Sequence, residues 1–287
     1  MKSGKRKAES ESREAEGGNR KSEFEIRNGM LVDGEGAAAE PTGAAGVFET
    51  VLVHEGRGVF FDEHVRRFSD GCAHYIFGAA PSGNVLREAA SELIGCSGIA
   101  EGVLRWAAWR DAEGGEGWGI RIGPPRPHML LPAWRIAVSP VRLPAPGTDA
   151  SFKRLQRRPW NDALAAGRAA GFDEVLLCDA AGGIIEGAVS NVFCVHRGGL
   201  VTPSLPIGPL PGIVRAKVIE LAAEAGAPVA EAAVTIDDLG SATEIFLTNA
   251  LVGIRPVALL DFKRLPAPGP VTLRLLEAWR RRHGWPE

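Results

Sequence analysis

The chain has 287 residues, 45% hydrophobic and 24% charged, enough for one large or two modest domains with a core. Lys and Arg number 33 against 35 Asp and Glu; without a basic surplus to neutralise phosphates, nucleic-acid binding is not expected. No apolar run reaches membrane-span length, the charged first 18 residues hold no apolar signal core, and Cys72, Cys96, Cys178 and Cys194 form no Cys-x-x-Cys pair, so we expect a cytoplasmic enzyme with reduced thiols and a small-molecule substrate.

Residues 1–23 mix charged residues, Ser and Gly without apolar period, and predict a disordered tail. From Phe24 the pattern changes. Asn28-Gly29 between Glu25-Ile26-Arg27 and Met30-Leu31-Val32 is a hairpin signal. A Gly/Ala/Pro-rich loop over 34–46 precedes a strand over Val47–Val53, which turns at Glu55-Gly56. Asp62 is placed to cap a helix with Val65, Phe68 and Cys72 on one face, and Asn84–Ile94 reads as a second helix. Val103–Trp109 and Trp134–Val138 read as strands separated by a Gly- and Pro-rich excursion. Three prolines and a glycine in Pro140–Gly147 predict a linker. The expected layout is a small α+β domain over 24–139, a linker over 140–150 and a larger domain over 151–287.

The second half predicts a helix from Pro159 to Gly171, strands over Glu174–Cys178, Ile184–Glu186 and Asn191–Val195, and a helix opened by Pro211 and stopped by Gly226. A strand over Glu244–Thr248 and a helix around Leu273–Arg282 follow. Runs of strands with grouped helices indicate an α+β fold rather than a doubly wound sheet.

No Gly-x-Gly-x-x-Gly, phosphate loop or Gly-x-Ser-x-Gly elbow occurs, and the six histidines form no ligand-spaced set, so no metal is expected. Four elements carry chemistry instead. Lys153 sits among apolar and cationic neighbours that lower a lysine pKa and free its amine for Schiff-base chemistry; beside arginines, a solvated lysine is the commoner case. Glu186 ends an apolar hairpin and needs a partner, which a protonated ring nitrogen or an ordinary arginine would supply. Leu210-Pro211-Gly212-Ile213-Val214 starts a helix without a side-chain cap, so its N–H groups face either an anion or water. Thr248-Asn249-Ala250 ends a strand with polar residues, as a turn or as donors to a ligand.

The four occur in an order that, with Phe48-Glu49-Thr50, Glu63-His64-Val65-Arg66-Arg67-Phe68 and the span from Asp173-Glu174-Val175 to Pro256-Val257, resembles the class IV family of pyridoxal-phosphate (PLP) enzymes related to D-amino-acid and branched-chain aminotransferases. The resemblance implies a two-domain fold, a small α+β domain and a larger barrel-like one, with PLP in the cleft of a homodimer. It assigns Lys153 as the Schiff-base lysine and proton shuttle, and Glu186 as partner of the pyridine nitrogen. Arg67, Ile213, Val214, Asn249 and Ala250 fall at phosphate positions. Thr50 and Arg157, in matched stretches, and Arg105 and Arg110, on a strand expected to face the cleft, are substrate candidates. Lys153-Arg154-Leu155-Gln156-Arg157 and Thr248–Val257 are similar to the lyase branch, which converts 4-amino-4-deoxychorismate to 4-aminobenzoate and pyruvate for folate precursor synthesis. A branched-chain or D-amino-acid aminotransferase is the alternative, and a catalytically silent relative a third. Glu40–Gly46 replaces the family's tyrosine-bearing loop, leaving Tyr75 as the chain's one tyrosine.

Overall fold

A computed structural model describes residues 24–33, 41, 43–75, 77–145, 147, 151–196 and 198–285. The tail expected over 1–23, most of the 34–46 loop and residues 146 and 148–150 of the expected linker lie outside them.

The first half builds a six-stranded sheet from β1 (Phe24–Arg27), β2 (Met30–Asp33), β3 (Ala45–His54), β4 (Arg57–Gly58), β5 (Gly102–Arg110) and β6 (Glu116–Gly123), ordered β2-β1-β6-β5-β3-β4. Both expected tight turns form, with positive φ at Asn28-Gly29 and Glu55-Gly56. Helices α1 (Phe61–Tyr75) and α2 (Gly83–Ser97) cover one face. Val51, Leu104, Ile120 and Ile122 of the sheet meet Phe68, Leu86 and Leu93 of the helices there, all at most 1% exposed. Each such side chain contributes about 1.5–3 kcal/mol by leaving water. The opposite face, which alternation gives to Thr50, Arg105 and Arg121, is free to form a cavity wall. Asp62 lies inside the first turn of α1 rather than capping it, and pairs with Arg87 at 2.8 Å.

β6 corrects the sequence reading, which left these residues in a loop. Gly117 and Gly119 made the stretch look irregular, but tertiary packing requires them to be small: a Cβ on Gly117 would lie 3.0 Å from the Trp109 ring, and one on Gly119 3.3 Å from Glu25 Oε1.

The second half forms a nine-stranded sheet, in which β7 (Trp134–Leu143), β8 (Glu174–Asp179), β9 (Ile184–Gly187), β10 (Asn191–His196), β11 (Gly199–Pro203), β12 (Val229–Ala232), β13 (Glu244–Asn249) and β14 (Gly253–Leu260) are ordered β12-β11-β10-β13-β14-β7-β8-β9; β15 (Lys263–Arg264) pairs with β14. The sheet curls until β9 lies against β10 and β11. Helices α3 (Arg158–Ala169), α4 (Ile213–Glu224), α5 (Ile236–Ser241) and α6 (Pro270–His283) pack around it.

The expected domain boundary moves. β7 pairs in parallel with β14 and β8, so Trp134 onward belongs to the second sheet, and the division falls between Gly123 and Trp134 instead of at 140–150. Pro140 misled because it occupies a register shift between Val138 and Arg142, a bulge where no ladder N–H is needed.

Candidate active site

A cavity of about 600 Å³ opens between the helix-free face of the first sheet and one end of the second. Thr50, Arg67, Arg105, Lys153, Arg157, Glu186, Ile213, Val214, Asn249 and Ala250 all line it. Arg110 does not. It lies at the far end of β5, bound to Glu116 at 3.0 and 2.5 Å, so the substrate role expected for it is withdrawn. A strand's period of two puts Arg105 and Arg110, five residues apart, on opposite faces.

Lys153 reaches the cavity because its segment returns to the first sheet. Phe48 N donates to Lys153 O at 2.9 Å and Leu155 N donates to Gly46 O at 2.8 Å, which sets Lys153 Nζ 4.7 Å from the Phe48 ring centre. Burial, then the positive charges of Arg157 and Arg67, lower its pKa from 10.5 to about 7 against the opposing pull of Glu49. The amine is therefore largely neutral just above neutral pH.

Arg67, on α1, donates through Nε and Nη2 to Glu49 at 2.7 and 2.8 Å and through Nη1 to Pro211 O at 2.9 Å. Glu49 is 1% exposed and also meets His64 Nδ1 at 2.7 Å. Burial opposes its ionisation, but Arg67 and His64 hold the carboxyl well below its usual range. A bidentate pair of this kind fixes the guanidinium plane.

Helix α4 presents its first turn to the cavity with Gly212 as N-cap and no side-chain cap. The N–H groups of Ile213 and Val214 and the positive end of the helix dipole make an anion seat. Close packing demands the glycine: a Cβ at 212 would overlap Asn191 Oδ1. Asn191 is itself pinned, donating through Nδ2 to Leu210 O at 2.9 Å.

Glu186, 5% exposed on β9, accepts from Trp160 Nε1 and Leu210 N, both at 2.9 Å, one on each oxygen. A carboxylate has further lone pairs, so it can still accept from a ring N–H. Asn249 differs from a ligand donor: its Oδ1 accepts from Leu251 N at 2.9 Å and Val252 N at 3.0 Å, and Nδ2 donates to Val189 O at 3.2 Å. The side chain closes a turn, leaving the backbone of Asn249 and Ala250 to face a ligand. Arg157 donates to Ala188 O at 2.5 Å, and Arg105 stacks on Phe48 with Cζ 3.9 Å from the ring centre.

Sequence reasoning missed Arg121, Arg126, His128 and Arg168, which also line the cavity. For Arg121 a signal existed: Trp118, Ile120 and Ile122 alternate with Gly119, Arg121 and Gly123. Also missed was the support of Glu174, which accepts from the N–H groups of Val175, Ala188 and Val189 and from Ser190 Oγ and so shapes the loop carrying Val189 and Ser190 into the cavity. Burial pushes its pKa up to about 7 in spite of those donors. Among the described residues no cluster of ligating side chains fits a metal ion, and no helix is long and apolar enough to cross a membrane.

An amine, an uncapped helix N-terminus, a fixed arginine and a buried carboxylate thus meet around one cleft. The Amino-transferase class IV family model matches residues 46–260, and the chain belongs to that family. A Methanocaldococcus jannaschii protein named "Putative branched-chain-amino-acid aminotransferase" is 30% identical over 249 residues, 82% of this chain and 86% of its own. The solved branched-chain amino acid aminotransferase of Escherichia coli superposes with a TM-score of 0.82 at 25% identity, covering 91% of this chain and 95% of that one. A Legionella pneumophila structure titled "Putative 4-amino-4-deoxychorismate lyase" shares the fold with a TM-score of 0.73 at 21% identity, covering 82% and 90%. The fold is the mixed α+β fold of class IV aminotransferases, and the family's cofactor is PLP. The residues present fit that group: the seat at α4 suits its phosphate, Glu186 its ring nitrogen and Lys153 its aldehyde.

Proposed function

We propose that this protein is a PLP-dependent aminotransferase that moves an amino group between an amino acid and a 2-oxo acid. In this reading Arg67 and the N–H groups of Ile213 and Val214 hold the phosphate, the backbone at Asn249 and Ala250 closes the seat, and Glu186 keeps the ring nitrogen protonated. Bound there, PLP supplies an electron-accepting ring that stabilises negative charge on the carbon bearing the substrate amine. Lys153 would hold the aldehyde end, and its Nζ would move a proton from the carbon bearing the substrate amine to the former aldehyde carbon, the shift that amino transfer requires. The observation that carries the reading is the Lys153 amine, with its pKa of about 7, in one cavity with an anion seat and Glu186. Amino transfer is favoured over elimination by the aminotransferase name of a relative matched over 82% of the chain.

The second reading is the lyase, favoured by the segment Thr248–Val257 and by the arginines that line the cavity. With PLP-loaded protein, transfer from amino acids to 2-oxoglutarate is measured beside pyruvate release from 4-amino-4-deoxychorismate. Transfer is expected; pyruvate release without transfer replaces the first reading by the second. Lys153→Ala is expected to lose the cofactor's borohydride fixation and at least about a hundredfold in turnover, the usual worth of a positioned general base. Retained turnover would remove Lys153 from its role. A homodimer is part of this reading on the family resemblance, and light scattering tests it.

A further inference from the structure

Glu186, the partner expected for the ring nitrogen of PLP, stands between two cavities. It lines the large cleft and, behind it, a smaller cavity of about 150 Å³. Trp160 lines the smaller cavity and not the cleft. From there its Nε1 donates to Glu186 Oε1 at 2.9 Å, while Leu210 N donates to Oε2 at 2.9 Å. The terminal torsion of a glutamate is broad, so burial does not by itself fix the plane of the carboxylate. One donor on each oxygen, from two different segments, does.

The indole is itself held in place. Pro159 opens α3 and puts Trp160 in its first turn. The ring packs against the apolar cluster of Leu143, Ala163, Val175, Leu177 and Ile185, and Arg157 Cζ lies over it, 5.2 Å from its centre. Packing alone does not supply an indole with an acceptor: Nε1 of Trp106 and Nε1 of Trp279, both more deeply buried, have no partner among the described residues. The two donors on Glu186 are neutral, so they orient the carboxylate without neutralising it. Arg157 donates instead to Ala188 O at 2.5 Å and turns its charge to the ring face. An arginine in the place of Trp160 would pair with Glu186 and compete for it with a cation in the cleft.

Resting on the PLP reading above, we infer that Trp160 is a positioning residue, whose indole N–H acts from behind the cleft to hold the Glu186 carboxylate as a fixed anionic partner for the pyridine nitrogen. Trp160 touches neither substrate nor cofactor in this role and works through Glu186 alone.

Two variants of the PLP-loaded protein separate the properties of the indole. Trp160→Phe keeps a ring beside Arg157 and removes the N–H; Trp160→Gln keeps an N–H the same number of bonds from Cα and removes the ring. Turnover and the pH dependence of the visible absorbance of bound PLP are measured for each. Trp160→Phe is expected to lower kcat about ten- to a hundredfold, the worth of a hydrogen bond to a charged group, with the amino-donor KM within a few-fold. Its absorbance midpoint should move to higher pH. A ring nitrogen without its partner gives up its proton, and loss of that positive charge tightens the hold on protons elsewhere on the cofactor. Trp160→Gln should fall between Trp160→Phe and wild type in both readouts. In a Glu186→Gln background Trp160→Phe should add nothing, because its effect runs through that carboxylate. An unchanged midpoint in Trp160→Phe, the reverse order of the two variants, or full additivity with Glu186→Gln overturns the inference. Should Trp160→Phe fail to fold, the indole N–H resonance missing from the Trp160→Gln spectrum decides: in wild type it must shift when PLP binds, and a resonance indifferent to PLP overturns the inference. Wild type that takes up no PLP sinks the functional reading and this inference with it, whereas a yellow wild type with indifferent variants sinks the inference alone.

Discussion

Lys153 shows how far a single side chain depends on its surroundings. Its segment lies in neither sheet, and backbone bonds from Phe48 and Leu155 place the amine beside three cationic groups. A lysine at about 7 in the folded chain and near 10.5 unfolded binds fewer protons folded than unfolded between those values, so stability rises with pH across that window. In protein freed of PLP, Lys153→Met should therefore be the more stable form at and below pH 7, with its advantage shrinking toward pH 10.5. Urea midpoints for both proteins at half-unit pH steps read this directly. Parallel curves would mean that the amine keeps an ordinary pKa.

At the scale of one element, α4 acts through where it begins. A helix N-terminus is an anion seat only if no side chain of its own occupies it, and Gly212 both omits that side chain and lets Asn191 approach. The φ of Gly212 is −71°, which any residue adopts, so alanine there costs packing and not backbone strain. Gly212→Ala should lose about 1–3 kcal/mol, as overpacked sites do, and bind PLP more weakly by spectroscopic titration. Full affinity in that variant would place the phosphate elsewhere.

The two sheets meet across the cavity, tied by apolar packing of Phe60 on Trp279 and Trp285 and by polar contacts. Arg67 on α1 reaches Pro211 O before α4, while Lys217 on α4 binds Glu63 at 2.6 Å and lies over Phe60. The Lys217–Glu63 pair is partly exposed and is worth at most about 1 kcal/mol. A ligand touching both halves adds far more: at a hundredfold excess over Kd, PLP should stabilise the protein by about 2.7 kcal/mol. Calorimetry should show one unfolding transition moving up as PLP is added. A shift in one of two separate transitions would mean that the halves unfold independently and that the cofactor contacts one of them.

Local chemistry made much of this molecule legible. Asn28-Gly29 dictates a tight turn because Asn and Gly accept positive φ, at Glu55-Gly56 the glycine alone carries that preference, the Val65-Phe68-Cys72 spacing dictates the buried face of α1, and the ordered set Arg67, Lys153, Glu186 and Gly212-Ile213 names the cavity. Long-range packing decided the rest. Gly117 and Gly119 are strand residues because the Trp109 ring and Glu25 press on them from neighbouring strands, and Pro140 is a bulge rather than a boundary because β8 accepts its shift in register. Arg105 and Arg110 look equivalent in one dimension; the pleat sends the first to the cavity and leaves the second with Glu116. Whether Asn249 offers its side chain to a ligand was likewise settled only when the fold brought Val189 within reach. A residue's own conformational preferences are written in its immediate neighbours, whereas its partners are chosen by strands that arrive from a hundred residues away.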